Sequence, residues 1–219
     1  MYPVIKRLLD VLFSLACIII LSPLFLILIL LLKFTGEGEV FYPQNRVGHK
    51  NMNFRMWKFA TMLKSSPDLP GGIITVRNDP RITPVGRWLR FSKLNELPQL
   101  INILKGEMSF IGPRPLMPLS FNEYTEEVRQ YIYQIRPGIT GIGSIIFRDE
   151  EKMVTETSQD SWEYYRQHIF PLKAKVELWY QQNQSFSTDL ILLFLTIWVI
   201  FFPNSKLVYS IFRDLPKSS

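Results

Sequence analysis

The chain has almost no cysteine and almost no histidine. Its single cysteine, Cys17, sits inside an apolar run, which excludes a disulfide framework and a cysteine metal site. The two histidines, His49 and His168, are far apart in sequence and read as surface or polar-network residues rather than ligands. Lysine and arginine outnumber aspartate and glutamate by 25 to 19 over 219 residues, a net charge of +6. They nevertheless form no dense basic block of the kind that makes a nucleic-acid arm. Helix-turn-helix and RNA-binding signatures are absent, as are a Walker loop and a G-x-G-x-x-G turn, so no nucleic acid partner is expected. The anions left for a basic chain are a membrane surface and phosphorylated substrates.

What is present begins with an apolar run. Val11 to Leu32 carries no formal charge. As a helix it would be about 33 Å long, enough to cross a hydrocarbon core of about 30 Å. No A-x-A-like site follows it, which speaks against a signal peptide. A simple span is one reading. The other is a helix that enters, bends at Ser22-Pro23 and returns to the same face. Pro23 removes a backbone hydrogen bond in mid-run. Basic residues flank both ends, Lys6 and Arg7 before, Lys33, Arg46, Lys50, Arg55 and Lys58 after, so positive charge assigns no side to a crossing.

The chain is organised around Phe91 to Pro118. Leu97, Leu100, Ile101 and Leu104 fall at helical spacing, with Asn95 where an N-cap belongs, Pro98 in the first turn and Gly106 where the helix ends. Gly112, Pro113, Pro115 and Pro118 then hold Arg114 on a stiff segment. Arg77, Arg81, Arg87, Arg90 and Lys93 lead into this turn. A helix N-terminus, a carboxylate at Glu96 and a held arginine favour phosphate. Elsewhere, extended structure is expected at Val40 to Phe59 and Ile73 to Val76. One surface helix is expected over Ser120 to Ile135, stopped by Arg136-Pro137-Gly138. The glycines of P-G-I-T-G-I-G-S (Gly138, Gly141, Gly143) could let backbone approach a phosphate. Trp162 to Gln182 reads as two helices broken near Pro171. Leu190 to Phe202 is too short to span and suits an interfacial helix anchored by Trp198, followed by a basic tail.

These stretches carry a resemblance. K-L-N-E-L-P-Q-L, N-I-L-K-G-E-M-S and G-P-R-P closely resemble the S-L-D-E-L-P-Q-L, N-x-L-K-G-x-M-S and G-P-R-P of bacterial sugar transferases, the monotopic polyprenyl-phosphate glycosyl-1-phosphate transferases. Lys6-Arg7-Leu8-Leu9-Asp10 resembles the K-R-x-x-D that opens that family's re-entrant helix. Tyr42, Gln44, Arg46 and Gly48 match its F-x-Q-x-R-x-G, Lys58 its lysine near the active site, and D-P-R-I-T-P-V-G-R its D-x-R-I-T-x-x-G-R. Three departures stand out. Asn95 replaces the Asp of the Asp-Glu pair, Ala60 replaces an arginine, and the continuation after P-G-I-T-G differs, with Arg148, Asp149 and Glu150.

The resemblance implies a mainly α monotopic membrane protein with a small β element and an N-terminal re-entrant helix broken at Ser22-Pro23. The expected division is residues 1–33 in the membrane, 34–186 as a catalytic domain on its surface, and 187–219 as an interfacial helix with a basic tail. It implies transfer of a sugar-1-phosphate from a UDP-sugar to polyprenyl phosphate with release of UMP, on the cytoplasmic face of the bacterial inner membrane, in contact with its lipids and with Mg²⁺ as cofactor. A homodimer is left open. Asn95 and Glu96 would be the catalytic pair, with Glu96 near the metal. Lys58, Arg87, Arg90, Gly112, Pro113, Arg114, Gly138, Thr140, Gly141, Arg148 and Glu177 would line the substrates, Glu177 standing where many members have the acid of D-x-x-Y. Asn95 cannot serve well as the nucleophile that forms the acyl-phosphate in that family. Three readings follow: a branch that works without that intermediate, an Asp-to-Asn trapped form of an active enzyme, or a membrane scaffold that binds substrates without turning them over.

Overall fold

The structure is a computed structural model that describes residues 2–66, 79–150 and 160–217. The expected extended segment Ile73 to Val76, and Arg77, lie outside the described residues. The described residues are mainly helical, with two small two-stranded sheets. Helix α1 (Tyr2–Lys33) is followed by a hairpin of β1 (Phe41–Val47) and β2 (Asn53–Phe59). Then come α2 (Pro84–Phe91), α3 (Gln99–Lys105), β3 (Ser109–Ile111), α4 (Pro118–Asn122), α5 (Glu126–Tyr131), β4 (Gly138–Thr140) and α6 (Ile142–Ile146). The C-terminal part holds α7 (Ser161–Tyr164), α8 (Phe170–Gln182), α9 (Phe186–Phe201) and α10 (Leu207–Ile211).

The helix assignment of α1 continues through Ser22-Pro23, where the Ser22 hydroxyl donates to the Ile19 carbonyl at 2.8 Å. Its inner side docks along one body from end to end. Tyr2 and Lys6 both donate to Asp189 on α9. The Arg7 fork donates to the carbonyls of Ile103 and Leu104 at 2.6 and 2.9 Å, satisfying acceptors that α3 leaves open at its C-terminus. Asp10 accepts the Phe110 amide at 3.1 Å. Cys17, Ile18 and Phe25 pack on Met56, Leu100, Ile103 and Met108, and Leu28 and Leu32 join Phe59 and Leu89 in a further core. The outer side of α1 exposes apolar residues such as Leu12, Phe13, Ile20 and Ile27, as does α9 at Leu190, Phe194, Ile197 and Phe201. The largest core links Ile111, Ile142, Val176 and Tyr180 to Leu192 and Leu195 of α9 and Val208 of α10. Cores therefore cross the boundaries near 33 and 186.

Two local expectations change and a third gains its geometry. Asn95 does not cap a helix: it lies in a 3₁₀ turn, Leu94–Glu96, entered through Lys93 in left-handed conformation (φ 60°), and α3 starts only after Pro98. Proline at the first positions cannot donate and is preset for helical φ, so the regular helix begins behind it. The buried apolar residues of α3 are accordingly Leu100 and Ile103, while Ile101 is exposed. Gly106 does end the helix, with φ 83°. The single helix expected over Ser120 to Ile135 is two, because Thr125 leaves helical backbone and its hydroxyl accepts the Val128 amide, starting α5 afresh. The break near Pro171 is a π-turn, Tyr165–Ile169, between α7 and α8. Pro171 cannot bond the carbonyl four residues earlier, and the coil widens there.

Candidate active site

The hairpin supplies one wall. Its register pairs Tyr42 with Lys58, Gln44 with Met56 and Arg46 with Phe54. Residues directly opposite share a face, and alternate residues along a strand return to it. Tyr42, Gln44, Arg46, Met56 and Lys58 therefore look the same way. Arg46 donates through Nη1 to the Pro115 carbonyl at 3.0 Å and through Nε and Nη2 to Gln44 Oε1 at 3.2 and 2.7 Å. That fork fastens the hairpin to the G-P-R-P segment.

The segment is held at successive backbone groups. The Tyr133 hydroxyl donates to the Arg114 carbonyl at 2.8 Å and accepts the Leu116 amide at 2.9 Å. The Arg114 amide donates to Glu177 Oε1 at 3.2 Å. Strand β3 pairs in parallel with β4, Ser109 with Gly138 and Ile111 with Thr140, and the Gly138 amide donates to the Pro113 carbonyl at 3.0 Å. Gly112, Gly138 and Gly141 meet backbone to backbone here. A Cβ on Gly112 would stand 2.3 Å from the Arg136 carbonyl, and one on Gly141 2.2 Å from the Gly112 carbonyl. The close approach these glycines allow is that of two protein segments to each other.

Glu96 is the carboxylate of the resulting cleft, which Arg46, Met56, Glu96, Gln99, Arg114, Pro115, Gly138 and Ile139 line. Glu96 Oε1 lies 3.5 Å from Lys58 Nζ and 3.6 Å from Arg114 Nη2. Burial pushes the Glu96 carboxyl upward, but Lys58, Arg114 and Lys93 outweigh it and hold it at about 2. Burial pushes Lys58 down to about 7, with Glu96 opposing and Arg46, Arg114 and Arg90 adding to the fall. Burial, with Arg114 beside it, lowers Arg46 to about 10. One carboxylate thus faces three crowded cations, Arg46, Lys58 and Arg114. An incoming anion would relieve that crowding.

Behind the cleft, Glu177 is buried, and its Oε2 has no hydrogen-bond partner among the described residues. Burial raises its carboxyl to about 7, against the Arg114 amide and the charges of Lys173 and Arg114. Buried Lys173 pairs with Glu150 and sits 5.3 Å from the Phe147 ring. Asn95 is also buried, and its Oδ1 has no hydrogen-bond partner among the described residues.

The fold therefore gathers Lys58, Glu96, Arg114 and Gly138 at the cleft and sets Gly112, Pro113, Gly141 and Glu177 directly behind it. Arg90 is half-buried and acts on Lys58 electrostatically. Arg87 stands exposed on α2. Arg81 is buried in an ion pair with Asp79 at 2.6 Å. The Thr140 hydroxyl bonds that of Thr196 at 2.9 Å, tying β4 to α9. Arg148 does not line the cleft, and its Nε lies 4.0 Å from Asp149. Arg46, Tyr133 and Lys173 were not expected as site or scaffold residues. Arg46 was legible from its alternation with Gln44 along a strand that also faces Lys58. For Tyr133 and Lys173 the sequence carries no such signal.

A divalent cation finds few ligands. Among the described residues no three His, Cys, Asp or Glu side chains come together, and the cleft offers one carboxylate, Glu96. That set fits an ion held chiefly by substrate phosphates and water, the usual habit of Mg²⁺.

Comparison with known proteins gives a consistent picture. The profile of a family described as bacterial sugar transferase matches residues 1–203. The exopolysaccharide production protein ExoY of Sinorhizobium fredii is 36% identical over 206 residues, 88% of this chain and 83% of that protein. The UDP-glucose:undecaprenyl-phosphate glucose-1-phosphate transferase of Klebsiella pneumoniae is 33% identical over 204 residues, 92% of this chain and 41% of that protein. The UDP-N-acetylgalactosamine-undecaprenyl-phosphate N-acetylgalactosaminephosphotransferase of Aeromonas hydrophila is 39% identical over 147 residues, 66% of this chain and 34% of that protein.

Proposed function

Since the chain belongs to the bacterial sugar transferase family, we propose that it transfers a sugar-1-phosphate from a UDP-sugar to polyprenyl phosphate and releases UMP. The observation that carries this reading is the cleft in which Lys58, Arg114 and Arg46 crowd one half-buried carboxylate, Glu96. Preorganised cations of this kind stabilise charge spread over a transferring phosphoryl group. Lys58 and Arg114 orient the donor phosphates, Arg46 fixes the turn that presents Arg114, and Glu96 keeps both cations aimed. A Mg²⁺ carried in with the nucleotide would neutralise pyrophosphate charge near Glu96.

Asn95 shapes the chemistry. Its amide is a poor nucleophile at phosphorus, so no acyl-phosphate forms on it. In the single displacement we favour, an oxygen of polyprenyl phosphate bonds to the β-phosphorus of the donor. The bond from that phosphorus to the bridging oxygen breaks, and UMP leaves with the electron pair. A second reading, a substrate-binding scaffold without turnover, is favoured by Asn95 and by Ala60 in place of the family arginine.

The membrane arrangement supports the same work. Helix α1 touches one body near its start through Arg7 and Asp10 and near its end through Leu28 and Leu32. A helix docked at both ends on one domain suits entry and return on a single face. The exposed apolar sides of α1 and α9 would meet the lipid, on the cytoplasmic side of the inner membrane where nucleotide sugars are found.

The test is UMP release from a panel of UDP-sugars with undecaprenyl phosphate and Mg²⁺, for this chain and for Asn95→Asp. Turnover by this chain supports single displacement. Turnover only by Asn95→Asp makes it a disarmed enzyme, and turnover by neither favours the scaffold.

A further inference from the structure

Tyr42 stands across from Lys58 on the hairpin and shares its face with Gln44 and Arg46. Arg46 lines the cleft and Tyr42 lies within electrostatic reach of it. The neighbouring Gln44 and Arg46 side chains are committed to each other and to Pro115. Tyr42, by contrast, is 48% exposed as a residue. The aromatic residues of the opposite face are paired among themselves: Phe41 stacks on Phe59 and meets Trp57 edge-on. Tyr124 and Tyr133, on the far side of the G-P-R-P segment, are buried. An open aromatic surface thus borders the cations of the cleft, at the start of β1, the strand that carries Arg46 and pairs with the one that carries Lys58.

We propose that Tyr42 is the platform on which the nucleobase of the donor stacks, so that it positions the nucleotide while Lys58 and Arg114 hold its phosphates. The inference rests on the reading of the chain as a user of nucleoside diphosphate sugars. Stacking needs only a flat π-face and tolerates a half-exposed site. It binds ground state and transition state alike, so its loss acts on KM and leaves kcat nearly unchanged.

The experiment uses the full chain in detergent and two probes by calorimetry: UMP, which has the base but not the transferred sugar, and glucose-1-phosphate, which has a hexose phosphate and no base. The expected result is a fall of about 10-fold in UMP affinity for Tyr42→Ala, within the range measured for stacking a base on an aromatic ring. Glucose-1-phosphate affinity stays unchanged, and Tyr42→Phe binds UMP like the parent. Where turnover is measurable, Tyr42→Ala raises KM for the UDP-sugar about 10-fold at constant kcat. Equal UMP affinity in the parent and Tyr42→Ala overturns the proposal while leaving the proposed reaction intact. Loss of glucose-1-phosphate binding in place of UMP binding overturns it in favour of a sugar platform. Failure of the parent chain to bind UMP at all overturns the nucleotide reading itself, and the stacking role with it.

Discussion

The main-chain amide of Arg114 points at Glu177 Oε1, 3.2 Å away. The guanidinium of the same residue reaches the other way, to 3.6 Å from Glu96. Arg114 is thus held from behind by one carboxylate and faces a second across the cleft.

Glu177 makes the grip pH-sensitive. Burial raises its carboxyl to about 7, above the value near 4.3 of an unfolded chain. Between those values the folded state holds a proton that the unfolded state has lost, so stability falls as pH rises from about 4.5 to 7 and is level above that. Thermal unfolding of the detergent-solubilised chain should show this decline, on the order of 3 kcal/mol at most for a shift of this size. Glu177→Gln should flatten it. An unchanged profile would refute the assignment.

Glu96 and Arg114 face the reacting phosphates. Glu96→Gln and Arg114→Ala should each lower turnover by at least ~10²-fold, the scale seen when one preorganised group is removed from developing charge. Initial rates of UMP release check this, and near-normal rates in both variants would remove these residues from the site.

Lys58 gives binding its own pH signature. With its pKa brought down to about 7, the free site loses a positive charge as pH passes neutrality. A bound phosphate restores that charge, so binding takes up a proton above pH 7. UMP affinity should drop about 10-fold between pH 7 and 8.5, following from one proton per binding event. Calorimetry in two buffers of different ionisation enthalpy would count that proton, and Lys58→Met should abolish the uptake.

The glycine contact is rigid on both sides. Gly112→Ala places a methyl 2.3 Å from the Arg136 carbonyl, and Gly138→Ala one 2.2 Å from the Gly112 amide. Both neighbours are backbone and cannot rotate away. Each variant should lose at least ~2 kcal/mol of stability, at the severe end of overpacking, seen as a lowered Tm. Wild-type Tm in both would contradict the packing described.

Much of the fold was legible because its signals are local. The charge-free run announced α1, Val40 to Phe59 read as extended though not as a hairpin, and Gly106 marked the end of α3. The errors also have local causes. Asn95 is as good an N-cap as aspartate by type, but Pro98 moved the start of the helix past it. Thr125 divided a helix that periodicity alone would join. In the site, Lys58, Glu96 and Arg114 could be proposed from motifs. The hold on Arg114 could not, because Tyr133 and Glu177 reach it from 19 and 63 positions further along the chain. Such contacts exist only once the topology does. The same holds for the glycines, whose spacing suggested a cradle for phosphate: Gly138 and Gly141 meet the backbone of Gly112, and Gly143 meets the Glu177 side chain.

The docking of α1 has a consequence for modularity. A membrane anchor is usually treated as a detachable address label. Here Leu28 and Leu32 are core residues beside Phe59 and Leu89, Asp10 caps the start of β3, and Arg7 closes the end of α3. Deleting the first 33 residues would strip the remainder of part of its interior, and grafting a foreign anchor would not restore it. Recombination that exchanges this segment would have to exchange the matching surface with it.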